Sequence, residues 1–288
     1  MSRFFVKTEP ADLQNGRIVV TGEDVKHIAG VLRAREGDAL ELCDGAGTDY
    51  EVIIEQISKE SVITRITDRK VNRTEPPVDI TLFQGIPKGD KMDLIIQKCV
   101  ELGVNRFVPV TTARSVVRFK DARDEAAKAA RWGRIALEAA KQCGRGRIPE
   151  VEEPVGVDNA LKLADGYDLK LLPYEEETEG SLRTVLQNFS GYMEGKTSLQ
   201  GIEAMKGSTV GHAVVDEYPE TFKVDSNAGI LKIAIFIGPE GGFEKAETDK
   251  AVRSGFQSVK LGPRILRTET AGIVVSSIVM YELGDMGG

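Results

Sequence analysis

The chain has 288 residues, 41% hydrophobic and 29% charged, which at roughly 150 residues per domain suggests two domains of ordinary globular composition. That composition excludes a fibrous or wholly disordered chain, and no apolar run reaches the roughly 18 residues that a membrane-spanning helix needs. The opening MSRFFVKTEP lacks the apolar core of a secretory leader. Cys43, Cys99 and Cys143 follow neither a metal-ligand spacing nor a disulfide pattern, so a cytoplasmic protein without a metal is expected.

The formal net charge is −7, unevenly spread: residues 84–147 carry fourteen Lys and Arg against seven Asp and Glu, and residues 150–228 carry six against sixteen. Such an asymmetry either offers a basic face to phosphates or is a pair of solvated basic helices.

In chain order, short β-branched or alternating runs predict strands at 3–6, 18–20, 38–43, 50–57 and 61–67, with one short helix over 23–35. Five or six strands in about 70 residues suggest a small barrel. Thr74-Glu75-Pro76-Pro77 cannot continue a central strand, which sets a boundary between a domain at 1–74 and another at 75–288. Beyond it, strands at 79–86, 107–110, 170–172, 231–237 and 258–261 alternate with helices at 90–102, 122–143, 182–189, 244–254 and 268–283. Alternation of this kind, with several strands apolar on both faces, is the mark of a parallel α/β sheet. Residues 191–228 are acidic, glycine-rich and without periodicity, and are expected as a surface insertion.

Ligands of open α/β sheets bind beyond the carboxyl ends of the strands. Three such ends stand out: Leu171-Leu172-Pro173-Tyr174, the turn Gly238-Pro239-Glu240-Gly241-Gly242, and the stretch Leu261-Gly262-Pro263-Arg264-Ile265-Leu266-Arg267-Thr268-Glu269-Thr270-Ala271. The glycine turn is either a tight strand–helix connection or a place where backbone approaches a ligand closely. It is neither a Walker loop nor a dinucleotide fingerprint, and Glu240 favours a ligand without phosphate. In the third stretch Thr268 can cap the last helix and Glu269 suits its positive end, but two arginines just before that cap have no such explanation. His27 and His212 lack metal-ligand partners at useful spacing, and Trp132 either belongs to the core or flanks a nucleic-acid groove.

These two loops, with Arg3-Phe4-Phe5, His27, Val31-Leu32-Arg33, the segment 85–91, Glu101-Leu102-Gly103-Val104, Arg114-Ser115 and Glu138-Ala139-Ala140-Lys141-Gln142-Cys143, resemble nearly end to end the ribosomal RNA small subunit methyltransferase E family, the 16S rRNA uridine N3-methyltransferases of the SPOUT superfamily. Gly-Pro-Glu-Gly-Gly alone is widespread; paired with Arg-Ile-Leu-Arg-x-Glu-Thr-Ala at this spacing it is specific. The stretch 191–228 is longer than usual for that family.

The resemblance implies a PUA-like β-barrel at the N-terminus and an α/β domain with a deep trefoil knot. It further implies S-adenosylmethionine as cofactor, a homodimer, and 3-methyluridine in the decoding region of 16S rRNA as product, made on the small ribosomal subunit. On that footing Leu172, Pro239, Leu261, Ile265 and Leu266 are expected to hold the adenine, and backbone groups of Gly238, Gly241 and Gly262 its edges and the ribose. Pro173, Glu240, Gly242, Thr270 and Ala271 complete the expected pocket. Arg267 is expected to stabilise the uridine anion, with Glu240 or Glu269 as proton acceptor or, alternatively, as helix cap or cofactor ligand. Arg3, Arg33, Arg35, Lys88, Lys91, Arg114, Arg118 and Arg145 are expected to contact RNA phosphates. A related enzyme acting on tRNA or a ribose hydroxyl, or a non-catalytic RNA-binding assembly factor, are the alternatives.

Overall fold

The computed structural model describes residues 3–8, 13–193 and 230–287; His212 and all but the first three residues of the expected insertion lie outside them. The chain divides into two compact units, Met1–Glu75 with Leu137–Ile148, and Pro76–Ala136 with Pro149–Gly288.

In the first unit, strands β1 (Arg3–Phe5), β2 (Arg17–Thr21), β3 (Ala39–Cys43), β4 (Thr48–Ile57) and β5 (Ser61–Val71) form one sheet in the order β1-β3-β4-β5-β2. β1 runs parallel to β3 and the other pairs are antiparallel. Alternate residues such as Ile18 and Val20 on β2, and Leu40 and Leu42 on β3, point into a core with Phe4, Tyr50, Val52, Ile54 and Val62. β5 extends to Val71, past its apolar stretch, because β4 still offers it a partner as far as Thr48; ladder bonds carry the strand where alternation stops. The helix expected over 23–35 is shorter: α1 (Glu23–Lys26) widens into a π-helical turn at His27–Val31. Arg33, at φ +53°, then takes the left-handed conformation that ends it. The exposed His27 ring packs edge-on against the buried Phe4 at 5.5 Å.

The second unit is built on a parallel sheet of β6 (Val78–Gly85), β7 (Arg106–Thr111), β8 (Glu150–Val151), β9 (Val155–Gly156), β10 (Leu169–Pro173), β11 (Leu231–Ile237) and β12 (Gln257–Val259). Its order is β12-β10-β11-β6-β7-β8, with β9 also on β7, and every pairing is parallel. The helices are α2 (Lys91–Glu101), α3 (Ala122–Cys143, whose end belongs to the first unit), α4 (Val157–Leu163), α5 (Leu182–Met193), α6 (Lys245–Arg253) and α7 (Thr268–Glu282). The two-residue strands β8 and β9 and the seven-residue α4 are too short to leave a periodic signature. Trp132 is buried in α3, 4% exposed, so it is core and flanks no groove.

Two features position the loops at the strand ends. β12 lies beyond β10, yet α7 returns onto β11, β6 and α2, so the segment between β12 and α7 must pass back across the carboxyl end of β10. At the end of β6, Gly85 meets the loop after β11 so closely that a Cβ would lie 2.6 Å from the backbone nitrogen of Pro239; only glycine permits that approach. Beneath, Phe236 on β11 contacts Phe83, Phe243 and Phe256 at centroid distances of 6.1, 4.8 and 5.8 Å. Truncating this fully enclosed ring, Phe236→Ala, is expected to cost about 3–5 kcal/mol, read as a lower midpoint of urea unfolding.

Candidate functional site

The carboxyl ends of β10, β11 and β12 converge on one cavity of about 440 Å³. Its wall takes Pro173, Tyr174, Glu175 and Glu177 from the first loop, Ile237 to Glu240 and Gly242 from the second, and residues 260 to 268 from the third, with Lys91 and Ala271 from α2 and α7. Among the sequence candidates Pro173, Gly238, Pro239, Glu240, Gly242, Leu261, Gly262, Ile265, Leu266, Arg267 and Ala271 meet there. Leu172 is wholly buried behind the wall. Gly241 and Thr270 are not part of the wall: Gly241 backs onto Arg114, which donates to its carbonyl oxygen at 2.9 Å, and Thr270 is exposed.

Local chemistry explains how the loops are held. The Gly242 amide closes the turn on the Pro239 carbonyl at 2.9 Å, and Gly242 itself sits at φ +67°. Thr268 does not cap α7. Arg267 occupies the cap position, and the Thr268 hydroxyl instead donates to the Gly238 carbonyl at 2.6 Å while accepting from Gln84 Nε2 at 2.9 Å. A buried hydroxyl is more stable with both its donor and acceptor capacities filled, and here that ties two loops together. On the first loop, Tyr174 donates to Glu176 at 2.7 Å, and burial with this acid pushes its phenol up to about 12. Burial pushes the Glu177 carboxyl up, but the amides of Gly180 and Glu179, with Ser258, more than offset this and its pKa is lowered.

The main electrostatic feature is Lys91. Its ammonium lies 3.0 Å from Glu240 and 3.3 Å from Glu269, which joins α2, the glycine turn and the first turn of α7. Burial raises the Glu240 pKa, but Lys91 and the backbone amide of Lys88, 3.1 Å from Glu240 Oε1, prevail and the net shift is downward. A carboxylate held this way is a weak proton acceptor, which favours the alternative reading of Glu240 as part of the wall over that of a base. Arg267, by contrast, is exposed at the cavity wall, with no carboxylate partner among the described residues.

The expected RNA contacts divide. Arg33, Arg35, Lys88 and Arg118 are exposed. Lys91 and Arg114 serve the loops of the cavity. Arg3 and Arg145 are turned inward, 6% and 3% exposed at the side chain: Arg3 pairs with Glu41 and Asp49, and Arg145 with Glu75 at 2.8 Å. A guanidinium buried among carboxylates offers nothing to a phosphate, so these two are corrected to structural ion pairs. The sequence gives no warning, because arginine is written identically inside and out. What reasoning from sequence missed was Lys91 as a cavity residue, together with Glu175, Glu177 and Lys260, for which extending each strand-end loop by three residues was the available signal.

Among the described residues no group of His, Cys, Asp and Glu could hold a metal ion, and no helix is long and apolar enough to cross a membrane. Two substitutions test these assignments. Gly242→Ala would put a side chain at a left-handed position, where it must displace the Glu175 carboxylate, and is expected to weaken ligand binding in calorimetry while the fold persists by circular dichroism. Glu75→Ala removes the carboxylate that accepts from the Arg145 guanidinium and from the amides of Gly146 and Arg147 and should lower stability by about 3 kcal/mol, measured by chemical denaturation.

A family model for an RNA methyltransferase domain matches residues 74–280, and one for an RNA methyltransferase PUA domain matches residues 20–67. Ribosomal RNA small subunit methyltransferase E of Bacillus subtilis (strain 168) is 30% identical over 283 residues, 98% of this chain and 97% of the relative. The protein of the same name from Aquifex aeolicus (strain VF5) is 30% identical over 93% of this chain and 96% of its own. The crystal structure of ribosomal RNA small subunit methyltransferase E from Neisseria gonorrhoeae bound to S-adenosyl methionine superposes with a TM-score of 0.74 at 28% identity, covering 99% of both chains. With a PUA unit ahead of a parallel sheet whose strand ends enclose a cavity, and with likeness running the length of the chain, the protein belongs to the ribosomal RNA small subunit methyltransferase E family of RNA methyltransferases.

Proposed function

We propose that the protein transfers a methyl group from S-adenosylmethionine to ring nitrogen 3 of a uridine in the decoding region of 16S rRNA, acting as a cytoplasmic homodimer on the small ribosomal subunit. The observation that carries this is the convergence of three strand-end loops on one cavity, with Arg267 at its wall and in no ion pair with a described acid. The cavity volume falls in the usual range for small-molecule sites, roughly 300–1,000 Å³. Apolar Pro239, Leu261, Ile265 and Leu266 stand there beside glycine backbone, which suits an adenine and its ribose. The return of α7 across the end of β10 supports the trefoil knot that goes with this family.

When bound, S-adenosylmethionine supplies an electrophilic methyl group on a sulfonium. The residues of this chain must prepare the acceptor. An imide nitrogen between two carbonyls is a weak nucleophile until it loses its proton, and the negative charge then spreads over both oxygens. Arg267, at the cap position of α7, presents a planar fork of donors suited to such an anion. Fixed donors aimed at developing charge are typically worth about 10²–10³ in rate. Glu240 is held by Lys91 and the Lys88 amide; Glu269, whose Oε2 accepts no hydrogen bond among the described residues, is the acceptor to which the imide proton passes. Arg33, Arg35, Lys88 and Arg118 supply exposed cations for phosphates, whose contribution to affinity falls steeply with salt.

The test is methyl transfer from labelled S-adenosylmethionine to assembled small subunits and to naked rRNA, with nucleoside analysis. Label in 3-methyluridine is expected; label in a ribose methyl or in tRNA would replace the acceptor, and no incorporation despite cofactor binding would favour an assembly factor. Arg267→Lys should keep cofactor affinity and lose about 10²-fold in kcat; wild-type turnover would remove Arg267 from the reaction. Equilibrium sedimentation measures the dimer.

A further inference from the structure

Lys91 has the charge of a phosphate contact but the position of a structural pin. It sits at the first residue of α2, lines the cavity, and reaches carboxylates from two other elements that are 29 residues apart in sequence, Glu240 and Glu269. Its side chain is one-third exposed while that of Glu269 is 14% exposed. Glu269 Oε2 lies 3.3 Å from the ammonium but off any hydrogen-bond direction, and has no hydrogen-bond partner in this structure. The second anchor beside it is the Lys88 amide, which donates to Glu240 from the same approach to α2. Arg267 and Thr268 stand immediately before Glu269 in the chain, so whatever fixes Glu269 also fixes the first turn of α7.

We propose that Lys91 is a positioning residue for methyl transfer: by bridging Glu240 and Glu269 it locks the glycine turn and the start of α7 into one wall and thereby sets the place of Arg267. It acts through these two acids and touches no phosphate. The inference rests on the proposed function, and it gives the reason a lysine stands in the cavity.

The electrostatics give a signature that mere packing lacks. Burial already works to raise the Glu240 pKa, and Lys91 is the principal opposing influence. The wild-type ion pair therefore forms above the depressed Glu240 pKa and is lost only as pH falls through it, below the ordinary value of 4.5. Without the lysine only the backbone amides of Glu240 and Lys88 oppose burial, so protonation of the wall moves to higher pH.

Lys91→Met and Lys91→Arg should be compared with wild type in three measurements. Lys91→Met is expected to lower kcat by on the order of tenfold with the KM for rRNA unchanged. The acid limb of S-adenosylmethionine binding should move upward in pH, and Lys91→Arg should restore both. The salt dependence of RNA binding should keep its slope; a phosphate contact would flatten it by about one counterion, and that result overturns the proposal, as does an unshifted acid limb. Hydrogen exchange without any ligand separates the two claims: the amide of Lys88 and those of residues 240–242 and 268–271 should exchange faster in Lys91→Met but not in Lys91→Arg. Faster exchange in a protein that transfers no methyl group would sink the proposed function and keep the clamp. Unchanged exchange would sink the clamp alone.

Discussion

One buried hydroxyl holds the arrangement together. Thr268 donates a hydrogen bond to the Gly238 carbonyl and accepts one from Gln84 Nε2, so the ends of β6 and β11 and the start of the last helix meet at a single point. Gly85, beside Gln84, makes that meeting possible by lacking a side chain where Pro239 passes. Hydrogen bonds in a water-poor interior are directional and costly to leave unmade. With the hydroxyl engaged on both sides, the two loops share one geometry, and the cavity between them is an outcome of that geometry rather than a gap in packing.

The charges around the cavity sort by what they face. Glu240 and Glu269 share one lysine, Glu177 is satisfied by backbone amides of its own loop, and Arg114 is spent on the carbonyl of Gly241. These contacts hold the wall. Arg264 and Arg267 differ: both are exposed cations at the wall that pair with no described acid, and of the two Arg267 stands at the start of the last helix. An enzyme that stabilises an anion needs such a group, and it has to be kept apart from the acids nearby, which the lysine accomplishes by occupying them.

Much of the fold was legible in the sequence because the signals were local. Long apolar strands such as Leu231–Ile237 and the periodic helix at 91–101 announce themselves, and the strand-end rule pointed to the three loops that the structure brings together. Three kinds of feature were not legible. The π-helical turn and the left-handed Arg33 depend on how the chain closes over Ile28 and Val25, not on periodicity. Thr268 reads as a cap, since its partner Gln84 is 184 residues away. The fates of Arg3, Arg145 and Lys91 depend on long-range neighbours, Glu41 and Asp49, Glu75, and Glu240 with Glu269, and a count of basic residues along the chain has no access to them.

The strand order has a consequence for how the protein is made. Every wall of the cavity needs pieces from the loops after β10, β11 and β12 at once, and the last of these loops lies in the final tenth of the chain. Contacts so distant in sequence form late and slowly. As the chain leaves the ribosome, N-terminal parts fold first, so the first unit and the early strands are in place well before the cavity exists. The newborn protein therefore passes through a stage in which its first unit is folded and the cavity has yet to be assembled.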